Sequence, residues 1–199
     1  MTVHTTFDSP LGELLLVGEA SATAPGGTAL ASLSVPGQKG GATVQDGWVR
    51  DDEAFTAITG QLRAYFAGTL THFDIEYADG AGTEFQRKVW SALDSVPYGT
   101  TTTYGKLAAH LGLSRAAVRA LGTALGRNPV LVVRPCHRVV GADGSLTGYA
   151  GGLDRKKQLL ELEKLDEDVV YDAKQLDQAI EQGFACSAEV LRDLGGSGS

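Results

Sequence analysis

The stretch TYGKLAAHLGLSRAAVRALGTALG, Thr103 to Gly126, holds two helical patterns broken at a single point. Tyr104 to Leu111 reads as a helix stopped by Gly112, since glycine enters the left-handed cap conformation without a Cβ penalty. Ser114 then offers an N-cap for a second helix, Arg115 to Leu125, stopped at Gly126. Two short helices about Gly112-Leu113-Ser114 make a helix-turn-helix. The pairing alone suits two packed helices as well as a DNA reader. Composition shifts the balance. Ala116, Ala117, Ala120, Gly122, Thr123 and Ala124 keep side-chain bulk low, while Arg115 and Arg119 rise from the helix without an acidic neighbour. Such a helix can approach a negatively charged surface closely.

Upstream, Thr83 with Gln86 three residues on matches a capping box, and Phe85, Val89, Ala92 and Leu93 form an apolar face. Val96-Pro97-Tyr98-Gly99 closes that helix, and Ala78 to Gly82 reads as a linker. The first part of the chain is more strand-like. Val3 to Phe7 and Leu14 to Val17 flank the turn residues Ser9-Pro10-Leu11-Gly12, a hairpin signal. Leu30 to Val35 suits another strand, Gly37 to Gly41 an exposed loop, and Phe73 to Tyr77 alternates as a strand would. Phe55, Ile58, Leu62, Tyr65 and Phe66 share one face of a helix that Gly68 can end.

The net charge of −7 argues at first against nucleic acid. Its distribution argues otherwise, because residues 101–160 hold nine Lys/Arg against two Asp, a local charge of +7. A basic segment inside an acidic chain is an electrostatic footprint for a polyanion, or else a solvated basic face. No apolar run approaches a membrane span, and MTVHTTFDSP lacks the basic start and apolar stretch of a signal peptide, so a cytoplasmic protein is expected. The two cysteines, Cys136 and Cys186, are too few for a disulfide framework. His4, His72, His110 and His137 lack metal-site spacing, so neither a zinc site nor another cofactor is expected.

Downstream lies VVRPCHRVVG, Val132 to Gly141. A free thiol is mostly protonated at neutral pH, so a nucleophilic cysteine needs a base or a positive field. His137, Arg138 and Arg134 stand close to Cys136. Neighbours on an extended chain point to opposite sides, so direct contact with His137 requires a bent backbone or a bridging water. Glu163 could orient His137 as a third member. The plain alternative is a buried Cys136 among valines with His137 on the surface.

The whole constellation resembles the O6-alkylguanine-DNA alkyltransferase family. Pro135-Cys136-His137-Arg138-Val139 is similar to its active-site motif. The likeness runs through Gln61 to Phe66, Gly82 to Gln86, Val96 to Gly99, Tyr104 to Ala108, Asn128 to Val130 and Gly148 to Leu153, up to Glu163, and includes Ser9 to Gly12. It implies an α+β chain. Residues 1–78 would form a ribonuclease H-like β-sheet and helix domain. Residues 79–165 would form a helical, winged helix-turn-helix-like DNA-binding and active-site domain.

The resemblance further implies DNA repair by direct reversal. An alkyl group on O6 of guanine, or O4 of thymine, would pass irreversibly to Cys136 in one turnover. His137 would be the base through a water, Glu163 its support, Tyr104 a contact to guanine N3 and Asn128 a hinge. Arg119 would enter the base stack in place of the extruded nucleotide, with Tyr149, Ala150, Lys156 and Val139 binding substrate. The partner would be double-stranded DNA carrying alkylated guanine, held through its minor groove by a monomer without membrane association. A non-catalytic damage binder and a cysteine hydrolase are the rival classes.

Two features depart from the family pattern. Arg134 stands where an aliphatic residue is usual; it could lower the Cys136 pKa, contact phosphate or reach solvent. Residues 166–199 form an acidic tail, with helices expected over Asp172–Gly183 and Ser187–Gly195, ending in the linker-like GGSGS. That tail could be a natural extension, a fused segment or a strip that folds over the basic face.

Overall fold

The computed structural model describes residues 1–163, so the expectations for residues 166–199, Cys186 included, lie outside the described residues. Strands β1 (Thr2–Ser9) and β2 (Gly12–Ala20) form the expected hairpin, with Ser9 opposite Gly12 and Pro10-Leu11 as the two-residue turn. The Ser9 hydroxyl ties the turn by donating to the Gly12 carbonyl at 2.7 Å and accepting from Leu11 N–H. Val3, Thr5 and Phe7 alternate inward along β1, the pattern of a strand with one wet face. β3 (Thr28–Ser34) pairs antiparallel with β2, and the two-residue β4 (Val49–Arg50) pairs parallel with β1, giving the order β3-β2-β1-β4. Helix α1 (Thr56–Phe66) buries Ile58, Leu62 and Tyr65.

Phe73 to Tyr77 does not form the expected strand. The Gln61 side-chain amide takes both backbone groups of Asp74, at 2.7 and 2.8 Å, in place of a neighbouring strand. Only Glu76 to Ala78 reaches the free edge of β3, through hydrogen bonds on either side of Leu30. The same edge takes a second segment: Leu33 N–H donates to Pro129 O at 2.9 Å, and Leu131 N–H donates to Leu33 O at 3.1 Å. The second half of the chain is thereby hydrogen-bonded onto the sheet of the first.

That second half contains α2 (Glu84–Leu93), β5 (Thr102–Thr103), α3 (Tyr104–His110), α4 (Val118–Gly126), β6 (Val139–Val140) and α5 (Leu153–Leu162). The capping box is present, with Thr83 Oγ1 accepting from Gln86 N–H and Gln86 Oε1 accepting from Thr83 N–H. At the end of α3, Gly112 has φ +65. Leu113 N–H donates to Ala108 O and Gly112 N–H to Ala109 O, the paired bonds of a Schellman cap. Ser114 makes no side-chain cap. The chain instead tightens into a 3₁₀ turn, Arg115–Ala117, before α4 begins. Trp90 of α2 packs on α4 and donates its indole N–H to Ala124 O at 2.8 Å. β5 and β6 form a short parallel pair beside these helices. A sheet-and-helix first half and a helical second half make the α+β architecture expected from the resemblance, over one continuous core.

The linker before α2 sets up a contrast between two glycines. Gly82 has φ +72, and a Cβ there would collide with the Trp90 ring; Gly80 has φ +90 with open space around it. Gly80→Ala should cost about 1 kcal/mol from backbone strain alone. Gly82→Ala should cost about 3 kcal/mol, because Trp90 must also shift. Urea unfolding of both variants checks the difference.

Candidate active site

Cys136 sits at the end of a run of tight turns. Val132, a β-branched residue, has φ +71, a conformation that costs on the order of 1–3 kcal/mol and needs its surroundings to hold it. Val133 N–H closes that turn onto Leu131 O at 2.8 Å. Pro135 adopts φ −82 and ψ 56, and Cys136 N–H closes a second turn onto Arg134 O at 2.8 Å. Cys136 to Arg138 then form a 3₁₀ turn, so this backbone is bent, not extended. All three side chains are buried, which removes the reading of His137 as a surface residue.

Beneath the turn lies the Glu163 carboxylate, 2% exposed, at the end of α5. It accepts from four donors: Tyr65 Oη at 2.7 Å, His137 Nε2 at 2.8 Å, and Arg138 Nε and Nη2 at 2.8 and 2.9 Å. Three of these donors converge on Oε1 and one reaches Oε2, a donor-only environment suited to an ionised carboxylate, which can only accept. Burial alone would raise its pKa, but His137 and Arg138 outweigh burial and hold the carboxyl well below the usual range. A charged acceptor on Nε2 places the imidazole proton there and leaves Nδ1 as a lone-pair acceptor. His137 Nδ1 has no protein partner among the described residues. Burial, the largest influence, lowers the His137 pKa despite Glu163, so the ring is a neutral base.

Cys136 Sγ meets Asn128 Nδ2 at 3.2 Å. Asn128 also donates to Arg134 O at 3.0 Å, while its Oδ1 accepts from Val130 N–H. One buried amide thus ties the end of α4 to the thiol and to the segment docked on β3. Burial pushes the Cys136 thiol up to about 11, with Asn128 and the Lys156 charge pulling the other way. At neutral pH the resting group is a thiol.

A cavity of about 460 Å³ opens onto Cys136, lined by Tyr104, Gly148, Tyr149 and Ala150, by the end of α4, and by Lys39 and Gly40. Tyr104 donates to Thr147 O at 2.8 Å. Lys156 does not line the cavity. Its ammonium is buried beneath the loop and donates to the carbonyls of Val139, Thr147 and Gly148, which matches its three protons. Val139 is likewise buried, in β6. Arg119 is exposed on α4, away from the cavity lining, on a face shared with the exposed small residues Ala116, Ala120 and Thr123. Leu121, Ala124 and Leu125 turn inward. Ala116, Ala120 and Thr123 therefore face outward with the arginines, while Ala124 is buried where Trp90 of α2 packs on the helix. Among the described residues, no three His, Cys, Asp or Glu side chains gather where they could hold a metal ion.

Arg134 turns away from the thiol. Its guanidinium lies 3.8 Å from the centre of the Tyr77 ring and 5.9 Å from that of Trp90, with Asp94 at 3.4 Å. Sequence reasoning also passed over Tyr65, read only as part of an apolar face. The available signal was its hydroxyl, which seeks a partner once buried. The Ser9 to Gly12 turn has a structural explanation here: its Leu11 and Pro10 carbonyls accept from Arg155 and Gln158 and so fix α5.

A buried thiol in a cavity wall, served by a neutral imidazole and flanked by a cationic helix, defines a protein for cysteine chemistry on a polyanionic partner. Two domain descriptions match the chain. The ribonuclease-like domain of 6-O-methylguanine DNA methyltransferase covers residues 2–78, and its DNA-binding domain covers residues 84–165. A methylated-DNA–protein-cysteine methyltransferase of Mycobacterium tuberculosis is 47% identical over 164 residues, spanning 82% of this chain and 93% of that protein. One from Methanosarcina acetivorans is 46% identical over 160 residues, 80% of this chain and 97% of that protein. The crystal structure of Mycobacterium tuberculosis OGT in complex with DNA matches with a TM-score of 0.73 at 46% identity, covering 81% of this chain and 93% of that one. The chain belongs to the 6-O-methylguanine DNA methyltransferase family.

Two outcomes test the site's electrostatics. Glu163→Gln leaves Arg138 buried without its counter-charge and should lower unfolding free energy by about 3–5 kcal/mol. The Glu163 pKa is depressed in the folded state, so its stabilisation is complete above the unfolded value of about 4.3 and is lost as pH falls below it. Stability profiles from pH 7 to 3 should therefore fall less steeply in the variant. For Arg134, a double-mutant cycle of Arg134→Leu with Tyr77→Leu should give a coupling of about 1 kcal/mol.

Proposed function

We propose that this protein reverses alkylation damage by transferring an alkyl group from O6 of guanine in duplex DNA to Sγ of its own Cys136, once per molecule. The observation that carries this reading is the placement of Cys136 in a cavity wall next to the buried His137–Glu163 pair. Family membership supplies the reaction class. In the proposed step, the thiol proton moves through a water to His137 Nδ1, and Glu163 stabilises the imidazolium that forms. The thiolate attacks the alkyl carbon. The S–C bond forms as the C–O6 bond breaks, and the electron pair enters the guanine ring, which takes up a proton to leave as neutral guanine. The thioether has no leaving path, which makes the transfer a single event.

The remaining roles are those that the family resemblance implies for these positions. Tyr104 at the cavity wall would contact N3 and balance charge that develops on the ring. Tyr149 and the Ala150 N–H would frame the base, while Lys156 and Val139 would act through the loop that they position. Asn128 would hold the thiol and serve as the hinge between α4 and the active-site turn. The alkylated oxygen lies inside the duplex, so the nucleotide must leave the stack, at a cost of a few kcal/mol. Arg119 on the exposed small-residue face would fill the gap from the minor groove. In this division, residues 1–78 brace the catalytic half and residues 79–165 bind DNA and react. We read the protein as a monomer acting in the cytoplasm. No described helix is long and apolar enough to cross a membrane.

Incubation with a duplex carrying O6-methylguanine should add one methyl mass, located at Cys136, and the signal should stop at one equivalent. Cys136→Ala should abolish it, and His137→Ala should slow it by roughly 10²–10⁴-fold. Repeated turnover on an ester or amide would point to a hydrolase. Tight binding to the damaged duplex with no mass change would point to a damage-binding module.

A further inference from the structure

The loop after β3 reads in sequence as an exposed glycine-rich connection, yet its Lys39 and Gly40 line the cavity together with Tyr149 and Ala150. It has a defined shape. Gln38 N–H donates to Val35 O, and the Gln38 side chain accepts from Val35 N–H at 3.1 Å. Gly41 N–H donates to Gln38 O, and Ala42 N–H to Ser34 Oγ at 2.9 Å. Pro36 and Val35 pack so closely that a Cβ on Gly12 would lie 3.0 Å from the first, and a Cβ on Gly151 3.1 Å from the second. The loop is wedged between the β1–β2 turn and the active-site loop.

A second depression of about 270 Å³ adjoins the cavity. Its wall is formed by Ser32, Ser34 and Gln38, and it shares Lys39, Gly40, Gly126 and Arg127 with the cavity of Cys136. Among the described residues, Lys39 and Arg127 are the only charged side chains that line either space, and no carboxylate of those residues lines them. They come from opposite halves of the chain and stand on the rim common to both. The cavity side is walled by tyrosines and suits a flat base; the adjoining side is hydroxyl- and amide-lined and cationic. A base drawn into the first space brings its own sugar and phosphates to the shared rim, because they are covalently attached. Lysine and arginine are the side chains that neutralise phosphate, and each such contact gives binding a dependence on salt.

Resting on the alkyl-transfer reading above, we propose that this trough is a phosphate subsite. Lys39 and Arg127 grip the backbone beside the extruded nucleotide, so the N-terminal half touches substrate DNA directly. The test uses the full chain and a duplex with one O6-methylguanine, with methylation of Cys136 followed by mass. Lys39→Met and Arg127→Met keep the side-chain stems and remove the charge. Each should slow transfer severalfold at low salt and make the log–log salt dependence of DNA binding shallower by about one unit. Lys39→Arg should restore both. In the wild-type protein, a neutral methylphosphonate at one of the phosphates flanking the lesion should reproduce the loss. The same substitution should add nothing further in Lys39→Met.

Unchanged rate and slope in the Met variants, with Cys136 still methylated, would overturn the subsite and leave the function standing. Fully additive effects of Lys39→Met and of the methylphosphonates at both flanking positions would overturn it as well, by placing the contact elsewhere. A wild-type Cys136 that stays unmodified by the damaged duplex overturns the function and the subsite together.

Discussion

Everything at the centre of this molecule depends on one buried carboxylate. Taking Glu163 out of water is costly unless its charge is matched, and here the Arg138 guanidinium, the His137 imidazole and the Tyr65 hydroxyl reach it from the active-site turn and α1. Tyr65 lies 98 residues away in sequence, so the interaction closes the fold over most of its length. Seven residues earlier on the same helical face, Lys156 gathers the carbonyls of Val139 in β6 and of Thr147 and Gly148 in the following loop. One stripe running from Lys156 through Leu159 to Glu163 thus carries a cation under the Thr147–Gly148 loop and an anion under the thiol's neighbours, with a buried leucine between.

The thiol itself is held from several sides. Asn128 contacts its sulfur, Val132 absorbs backbone strain just before it, and Arg134 anchors the approaching segment on Tyr77, Trp90 and Asp94. The arginine that departs from the aliphatic pattern is therefore a side-chain anchor in the seam with Tyr77. It is not a field for lowering the thiol pKa, which burial pushes up to about 11. A group so protonated gains its nucleophilicity only when a neutral base takes the proton at the moment of reaction. Such a thiol is sheltered from stray electrophiles while it waits.

Local signals in the sequence translated well where the chain satisfies its own backbone. The Thr83–Gln86 capping box, the Gly112 stop and the Ser9–Gly12 turn all form from neighbouring residues and were legible as such. The failures share a different cause. Phe73 to Tyr77 alternates like a strand, but a side chain 13 residues back takes the Asp74 backbone. Ser114 looks like a cap, yet a 3₁₀ turn intervenes before α4. Tyr65 was invisible as a partner of Glu163, and Lys39 as part of the cavity lining, because the fold alone brings those contacts to them. The Cys136–His137 relation lay between these cases: the residue types were suggestive, but the 3₁₀ turn that bends the pair was not readable from spacing.

The docking of Pro129 and Leu131 on β3 gives the N-terminal sheet the part of a ruler. Leu33 bonds to both residues that flank Val130, and Asn128 lies two positions before Val130. A slip of one residue along a strand is about 3.3 Å. That distance is as long as the whole Asn128–Cys136 contact of 3.2 Å, so a slipped register would strip the sulfur of its amide partner. The placement of the Cys136 sulfur is thus measured out by pairing with a strand formed near the beginning of the chain. Side chains on β3 that never approach the cavity nonetheless bear on the chemistry inside it.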